Sequence, residues 1–243
     1  EADIKNFRDR ALSPERPVTR GTAENPETFF THREASNSHY DAIPDVVEHY
    51  LGEISKITGR EYHCFSYYGA EDAENIIILM GSATEAAREA IDHLTSEGKK
   101  VGMISVHLYR PFSVKHLFAA VPKTVKKIAV LDRTKEPGAE GEPLYLDVKS
   151  AFYDQENRPV IVGGRYGLGS SDITPAKIIS VYNNLELPEP KNHFTVGIID
   201  DVTFTSLPAV EEMALGGKSI YEAKFFGLGA DGTVGANKNS VKI

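Results

Sequence analysis

Cysteine is all but missing from this sequence. Cys64 stands alone among 243 residues, so no disulfide can form within the chain. No four-cysteine zinc or iron–sulfur centre can be built from it either. The scarcity fits a reducing compartment. Long apolar runs are missing as well. The longest, Ile76–Met80, falls far short of a bilayer-spanning helix. There is no basic excess: 35 Asp and Glu face 27 Lys and Arg, a formal charge of −8. An acidic chain without a basic stripe argues against nucleic acid as a main partner. The opening EADIKNFRDR reads as neither signal nor transit peptide. We therefore expect a cytoplasmic protein that makes no membrane contact.

Catalytic signatures are also sparse. The eight histidines are scattered, and His32, His39, His49 and His63 lack H-E-x-x-H or other ligand spacing. No G-x-S-x-G elbow occurs. Cys64 follows His63, but neighbours in an extended chain face opposite ways, so adjacency does not make a nucleophile. Asp200-Asp201 could hold a hard cation such as Mg²⁺; a lone acidic pair is more often a helix start or a surface. We expect no catalytic and no metal residues within this chain.

What is present is an α/β pattern, and 41% hydrophobic residues allow a sizeable core. Residues 1–61 stand apart from it. Ser13–Phe30 is rich in Pro, Thr and Glu and aperiodic, which predicts a long loop. Asp41–Thr58 places Val46, Val47, Tyr50, Leu51, Ile54 and Ile57 at helical spacing. That helix is expected to start at Asp45, after Pro44, and to stop at Gly59. Asn75–Met80 is a continuous apolar run, as in a strand buried on both faces. Ser82-Ala83-Thr84-Glu85 has capping-box spacing, and Ala86, Ala87, Ala90, Ile91 and Leu94 form one helix face. Strands over Val101–Leu108, Lys127–Leu131 and Val160–Gly163 follow. The helices between them are marked by Val114, Leu117, Phe118 and Val121, and by Tyr145, Val148 and Phe152. Thr174-Pro175 opens a further helix as N-cap and first residue. This alternation predicts a mostly parallel sheet with helices on both faces over residues 71–188. Leu187-Pro188-Glu189-Pro190 reads as a linker, and His193–Ile198 and Ala223–Phe226 as two more strands.

Three loops invite functional readings. Gly227–Gly232, GLGADG, fits G-x-G-x-x-G after an expected strand. It is either a phosphate-binding turn or a strand-to-helix turn with no ligand. A nucleotide fingerprint also wants an acidic residue about twenty positions on, and the sequence ends before that position. A second cluster, Gly163–Gly169, brings Arg165 to the end of a strand, where we expect it to meet a neighbouring domain's acid. Asp132-Arg133-Thr134-Lys135-Glu136-Pro137 is expected to be a solvated or interface loop.

Several long strings go further. VTRGTAENPETFF, GREYHCFSYYGAEDAENIIILMGS, GKKVGMISVHLYRPFS, IAVLDRTKEPGAEGEPLYLDV, IVGGRYGLGSSDITP, FTVGIIDDVT and FFGLGADGTVGANKNSVKI together resemble the pyruvate:ferredoxin (flavodoxin) oxidoreductases. The resemblance implies oxidative decarboxylation of pyruvate with coenzyme A, giving acetyl-CoA, CO₂ and electrons for ferredoxin or flavodoxin. It implies thiamine diphosphate, Mg²⁺ and [4Fe–4S] clusters in the intact enzyme, none of them held by this chain alone, and a homodimer. On this view the chain is an internal fragment whose partners are the remaining domains of the same polypeptide. Residues 1–70 would be the tail of a thiamine-binding domain. Residues 71–188 would be an α/β domain similar to the transketolase carboxyl-terminal domain. Residues 189–243 would open a truncated third domain. The family's coenzyme A loop falls on Gly229, Asp231, Gly232, Thr233 and Asn237, with Lys238 adding charge. The alternatives are a nicotinamide-dependent Rossmann oxidoreductase using Gly227–Gly232, and a non-catalytic interaction module that works through Arg110, Asp132 and Arg165.

Overall fold

A computed structural model describes residues 1–18, 21, 23–156, 158–213 and 223–242. Parts of the matched strings, namely Thr19, Arg20, Thr22 and Ile243, lie outside these described residues. Helices α1 (Ala2–Asp9), α2 (Pro26–Ala35) and α3 (Asn37–Thr58) lead into six strands. These are β1 (Phe65–Gly69), β2 (Asn75–Leu79), β3 (Val101–Val106), β4 (Lys127–Asp132), β5 (Val160–Tyr166) and β6 (Phe194–Val196). Helices α4 (Ala83–Ser96), α5 (Val114–Ala120), α6 (Pro143–Phe152) and α7 (Pro175–Glu186) join β2 to β6, and α8 (Thr233–Val241) comes last.

The strands form one sheet in the order β1-β3-β2-β4-β5-β6. All neighbours are parallel except β1, which runs antiparallel along β3. The expected α/β architecture is therefore present, with helices on both faces. Ile77 and Leu79 point into a core with α4 and α7. Ile76 and Ile78 point into a second core with α5 and α6. All four are fully buried, so β2 has no solvent face, which is why its sequence is continuously apolar. The sheet runs past both limits expected for the domain: β1 precedes residue 71 and β6 follows residue 188.

The crossovers are not all of one hand. From β4 to β5 and from β5 to β6 the sheet grows in the same direction, yet α6 lies on one face and α7 on the other. The β5–α7–β6 unit therefore has the opposite hand to the other three, against a strong general preference for right-handed connections. Its docking has specific support. The Phe194 ring lies over Gly164, where any Cβ would overlap it. Tyr145 covers Gly163 in the same way and is held at its hydroxyl by the Asn192 side chain at 3.1 Å. Thr174 caps α7 as expected, accepting from the Lys177 N–H at 3.4 Å.

Several local expectations need correction. Residues 26–30 of the expected loop belong to helix α2, and α1 was not anticipated at all. Helix α3 does not start at Asp45 but runs straight through Pro44. Proline there lacks the N–H for the turn before it, and the helix accepts this because Pro44 is buried against the sheet unit. Gly59 ends α3 in the left-handed conformation, φ 70°, as expected. Ser82 does not form a capping box: its backbone is already helical and its side chain caps nothing. Ala223–Phe226 is not a strand: it has no regular structure and pairs with no strand among the described residues. Strand β1 was missed. It is an edge strand of only five residues.

Two carboxylates tie helix α3 to the sheet unit: Asp45 pairs with Lys115 of α5 at 2.7 Å, and Glu48 makes the second tie. Glu48 accepts the Cys64 N–H at 2.8 Å and bonds His63 Nδ1 at 2.5 Å. Burial acts to raise the Glu48 pKa, but these bonds outweigh it and hold the carboxyl below its usual value. A depressed carboxyl stabilises fully above its unfolded pKa, about 4.3, and that contribution is lost as pH falls through the lowered value. The Glu48 contribution to the docking of α3 is therefore fully present at neutral pH and is lost in acid. Burial, and then Glu48, push the Cys64 thiol up to about 12.

Two predictions follow from this packing. Gly164→Ala should cost about 1–3 kcal/mol by forcing Phe194 aside, measured by urea unfolding; a neutral result would mean β6 is not seated on Gly164. Cys64 should resist iodoacetamide at pH 8 in the native chain. Glu48→Ala removes a charge-assisted tie worth about 1.5–3 kcal/mol, so alkylation should speed up about tenfold or more, as followed by mass spectrometry.

Candidate functional site

The sheet reverses its direction of growth between β2 and β4. From β2 the chain moves to β3 on one side, then returns across to β4 on the other. In open α/β sheets the connections diverge at such a point and leave a crevice outside the strand ends. Here the crevice measures about 730 Å³. Its floor is Met80, Leu131 and Tyr166; its rims are Gly81-Ser82-Ala83, Asp132-Arg133-Thr134, Tyr109 and Ser171-Asp172-Ile173.

The charged residues beneath it are paired inside the domain. Asp132 is buried and accepts the α6 N–H groups of Leu144 and Tyr145, both at 3.1 Å. A carboxylate there satisfies two donors at the positive end of the helix. Burial still raises the Asp132 pKa, helped by the nearby charges of Glu142 and Asp147, while the two amide bonds oppose it. Asp132 is thus neither solvated nor at an interface, as its loop position had suggested. Arg165 is corrected likewise. It lies within β5, is 9% exposed, donates to the His193 carbonyl at 3.1 Å and the Thr205 hydroxyl at 3.3 Å, and faces Glu142 at 3.8 Å. It meets this domain's own acid. Glu142 is 2% exposed, and its Oε2 has no hydrogen-bond partner among the described residues. Arg110 pairs with Asp147 of α6 at 2.7 Å and stacks on Tyr109. The three residues of the interaction-module reading are thereby tied up within the fold.

The glycine-rich segment lies elsewhere, and its surface is open. Gly229 and Gly232 adopt positive φ, 115° and 82°, and Gly232 precedes α8. Asp231 closes the turn, accepting the Leu228 N–H at 2.8 Å and the Thr233 N–H at 2.9 Å. The Thr233 hydroxyl and amide and the Leu228 amide hold its carboxyl down, at about 2. Asn237 and Lys238 follow within α8. The predicted site residues thus share one turn and the helix it opens. Without a strand before it, the segment lacks the βα context of a nicotinamide fingerprint. Asp200 is likewise committed: it accepts from the Val202, Thr203 and Thr205 N–H groups and from both threonine hydroxyls. These bonds hold its carboxyl far below the usual range and leave it poorly placed as a metal ligand.

Among the described residues no three His, Cys, Asp or Glu are grouped to hold an ion, and the one thiol is buried. Nor is any helix among them long and apolar enough to cross a membrane.

Comparison with known proteins agrees with the resemblance read from the residues. Residues 73–178 match the family described as pyruvate:ferredoxin oxidoreductase core domain II. The pyruvate-flavodoxin oxidoreductase of Enterobacter agglomerans is 58% identical over 99% of this chain and 20% of its own length. The pyruvate:ferredoxin oxidoreductase of Moorella thermoacetica is 52% identical over 99% of this chain, again 20% of its own length. A solved 2-oxoglutarate:ferredoxin oxidoreductase from Magnetococcus marinus, with 2-oxoglutarate, coenzyme A and succinyl-CoA bound, covers 67% of this chain and 24% of its own. Its TM-score of 0.45 at 22% identity is too loose a likeness to argue from. The chain spans about a fifth of the length of the curated relatives it matches. At 58% and 52% identity over nearly every residue, it belongs to the pyruvate:ferredoxin (flavodoxin) oxidoreductase family.

Proposed function

We propose that this chain is one portion of an enzyme that oxidatively decarboxylates pyruvate with coenzyme A, yielding acetyl-CoA and CO₂ and passing electrons to ferredoxin or flavodoxin. The observation that carries the reading is 58% identity over 99% of the chain to a pyruvate-flavodoxin oxidoreductase. The remaining domains of the polypeptide supply thiamine diphosphate, Mg²⁺ and the [4Fe–4S] clusters, whose ligands do not fit these residues. The intact enzyme is a cytoplasmic homodimer. Residues 1–70 hold the end of one domain and residues 189–243 the opening of a third, around a second domain at 71–188 whose sheet takes its edge strands β1 and β6 from just outside those limits.

The role of this portion is scaffold and coenzyme A contact. The exposed turn at Gly229–Thr233 gives its support to that reading. Positive-φ glycines let backbone approach a phosphate closely, and the N-terminus of α8 and Lys238 favour negative charge. Asp231 already takes two amides of the turn, so its first task is to hold the loop's shape. It and Asn237 bond polar groups of the ligand, while phosphate meets the glycine amides and Lys238.

The full-length polypeptide should reduce a viologen dye when given pyruvate and coenzyme A; absence of pyruvate-dependent reduction would sink the assignment. The 243-residue chain alone should show none. In the full-length enzyme, Asp231→Ala should raise KM for coenzyme A about tenfold, the loss of one charge-assisted bond, with KM for pyruvate unchanged. An unaltered coenzyme A value would remove Asp231 from the contact.

A further inference from the structure

We propose that an apolar stripe along α3 is an interface, covered by a helix from the part of the polypeptide outside these 243 residues. The inference deepens the reading of residues 1–70 as the end of one domain, and it rests on that reading.

Helix α3 presents three different faces. Val47 and Leu51 pack on the core shared with α5 and α6. Asp45, His49, Glu53 and Lys56 form a polar face, on which Lys56 pairs with Glu53 at 2.6 Å. Between the two runs a third face: Ile43, Val46, Tyr50, Ile54 and Ile57. At about 100° per residue these five fall within about 80° of arc. Val46, Tyr50, Ile54 and Ile57 are 51%, 60%, 45% and 85% exposed. A helix that met only the sheet unit and water would carry polar residues there.

The shape of the stripe selects a helix as its partner. Its members stand 3, 4, 4 and 3 positions apart, which averages to the coiled-coil repeat of about 3.5. The seam is about 21 Å long and narrower than the stripe a helix turns to a core. It fits the ridge of a second helix lying nearly along α3.

The two preceding helices indicate where that helix comes from. α1 and α2 have 8 and 10 residues and bury none of them. They leave Phe7, Phe29 and Phe30 exposed as well. Helices this short are marginal alone in water, so they need a body to pack on, close to α3. A second copy of this chain would bring only the same uncovered helices. A polypeptide like the Enterobacter agglomerans relative, of which this chain spans 20%, brings a further body, and covalent linkage holds it at high effective concentration.

Hydroxyl-radical footprinting of the full-length enzyme, read by peptide mass spectrometry, tests this face without any substitution. Tyr50 and Ile57 should be oxidised about tenfold more slowly in the native enzyme than in the same polypeptide unfolded in urea. Native rates close to the unfolded ones would overturn the interface. Protection that is lost when the enzyme is diluted to monomer would overturn it too, by giving the cover to a second copy. Alkylation supplies an independent reading. The thiol introduced by Ile54→Cys should resist iodoacetamide in the full-length enzyme, while that of Glu53→Cys, on the polar face, reacts freely; equal rates at the two positions would again overturn the cover. The viologen assay separates this inference from the enzyme assignment. Turnover with an unprotected Tyr50 removes only the interface, and a protected Tyr50 without turnover removes only the assignment.

Discussion

The four consecutive apolar residues Ile76–Leu79 of β2 are the contact on which the rest of the molecule depends. They are fully buried and divide evenly, two to each face of the sheet. Each buried side chain of this kind contributes about 1.5–3 kcal/mol by leaving water. Parallel neighbours flank β2 on both edges, so its backbone groups are paired while its side chains pin both helical layers. Take away this strand and neither α4 with α7 nor α5 with α6 has a common surface to pack on.

A second constraint is electrostatic. Asp132, Glu142 and Arg165 lie together under the strand ends, all buried. Asp132 fixes the start of α6, and Arg165 reaches across to His193 just before β6 and to Thr205 in the loop after it. Burying charge is costly unless it is paired, so these residues hold the β4–α6 and β5–β6 junctions in one arrangement. The crevice walls inherit that rigidity. Asp132 and Arg133, adjacent in sequence, thus do different work: one is consumed by the fold, the other stands at the rim.

Much of this was legible in the sequence. β2, β3 and β4 announce themselves as buried apolar runs, and α4 and α7 by their spacing and, for α7, by Thr174-Pro175. These features are local, set by period and cap chemistry. What was misread depends on partners far away in sequence. Gly163-Gly164 reads as the start of an interface loop until Tyr145 and Phe194 are seen lying on the glycines, inside β5. Pro44 looks like a helix start, but the buried side of α3 accommodates it. Phe225 and Phe226 have strand character, yet no strand among the described residues pairs with them, and both stay exposed. The Gly229–Asn237 cluster was found by its glycines and by family resemblance. The crevice was not, because Gly81, Ser82 and Arg133 are unremarkable until the sheet order brings them together.

The opposite-handed β5–α7–β6 connection has a consequence for how the molecule comes apart. Chain continuity and strand twist favour the other three crossovers, so β6 stays in place through its own side-chain contacts. Beyond its three residue pairs with β5, these include the Phe194 ring over Gly164, the Asn192 bonds to the Gly163 N–H and the Tyr145 hydroxyl, and the bond from Arg165 to the His193 carbonyl. Such an edge is the natural seam of the sheet. Amide exchange and proteolysis should begin there, and the five strands from β1 to β5 should outlast it as a smaller cooperative unit.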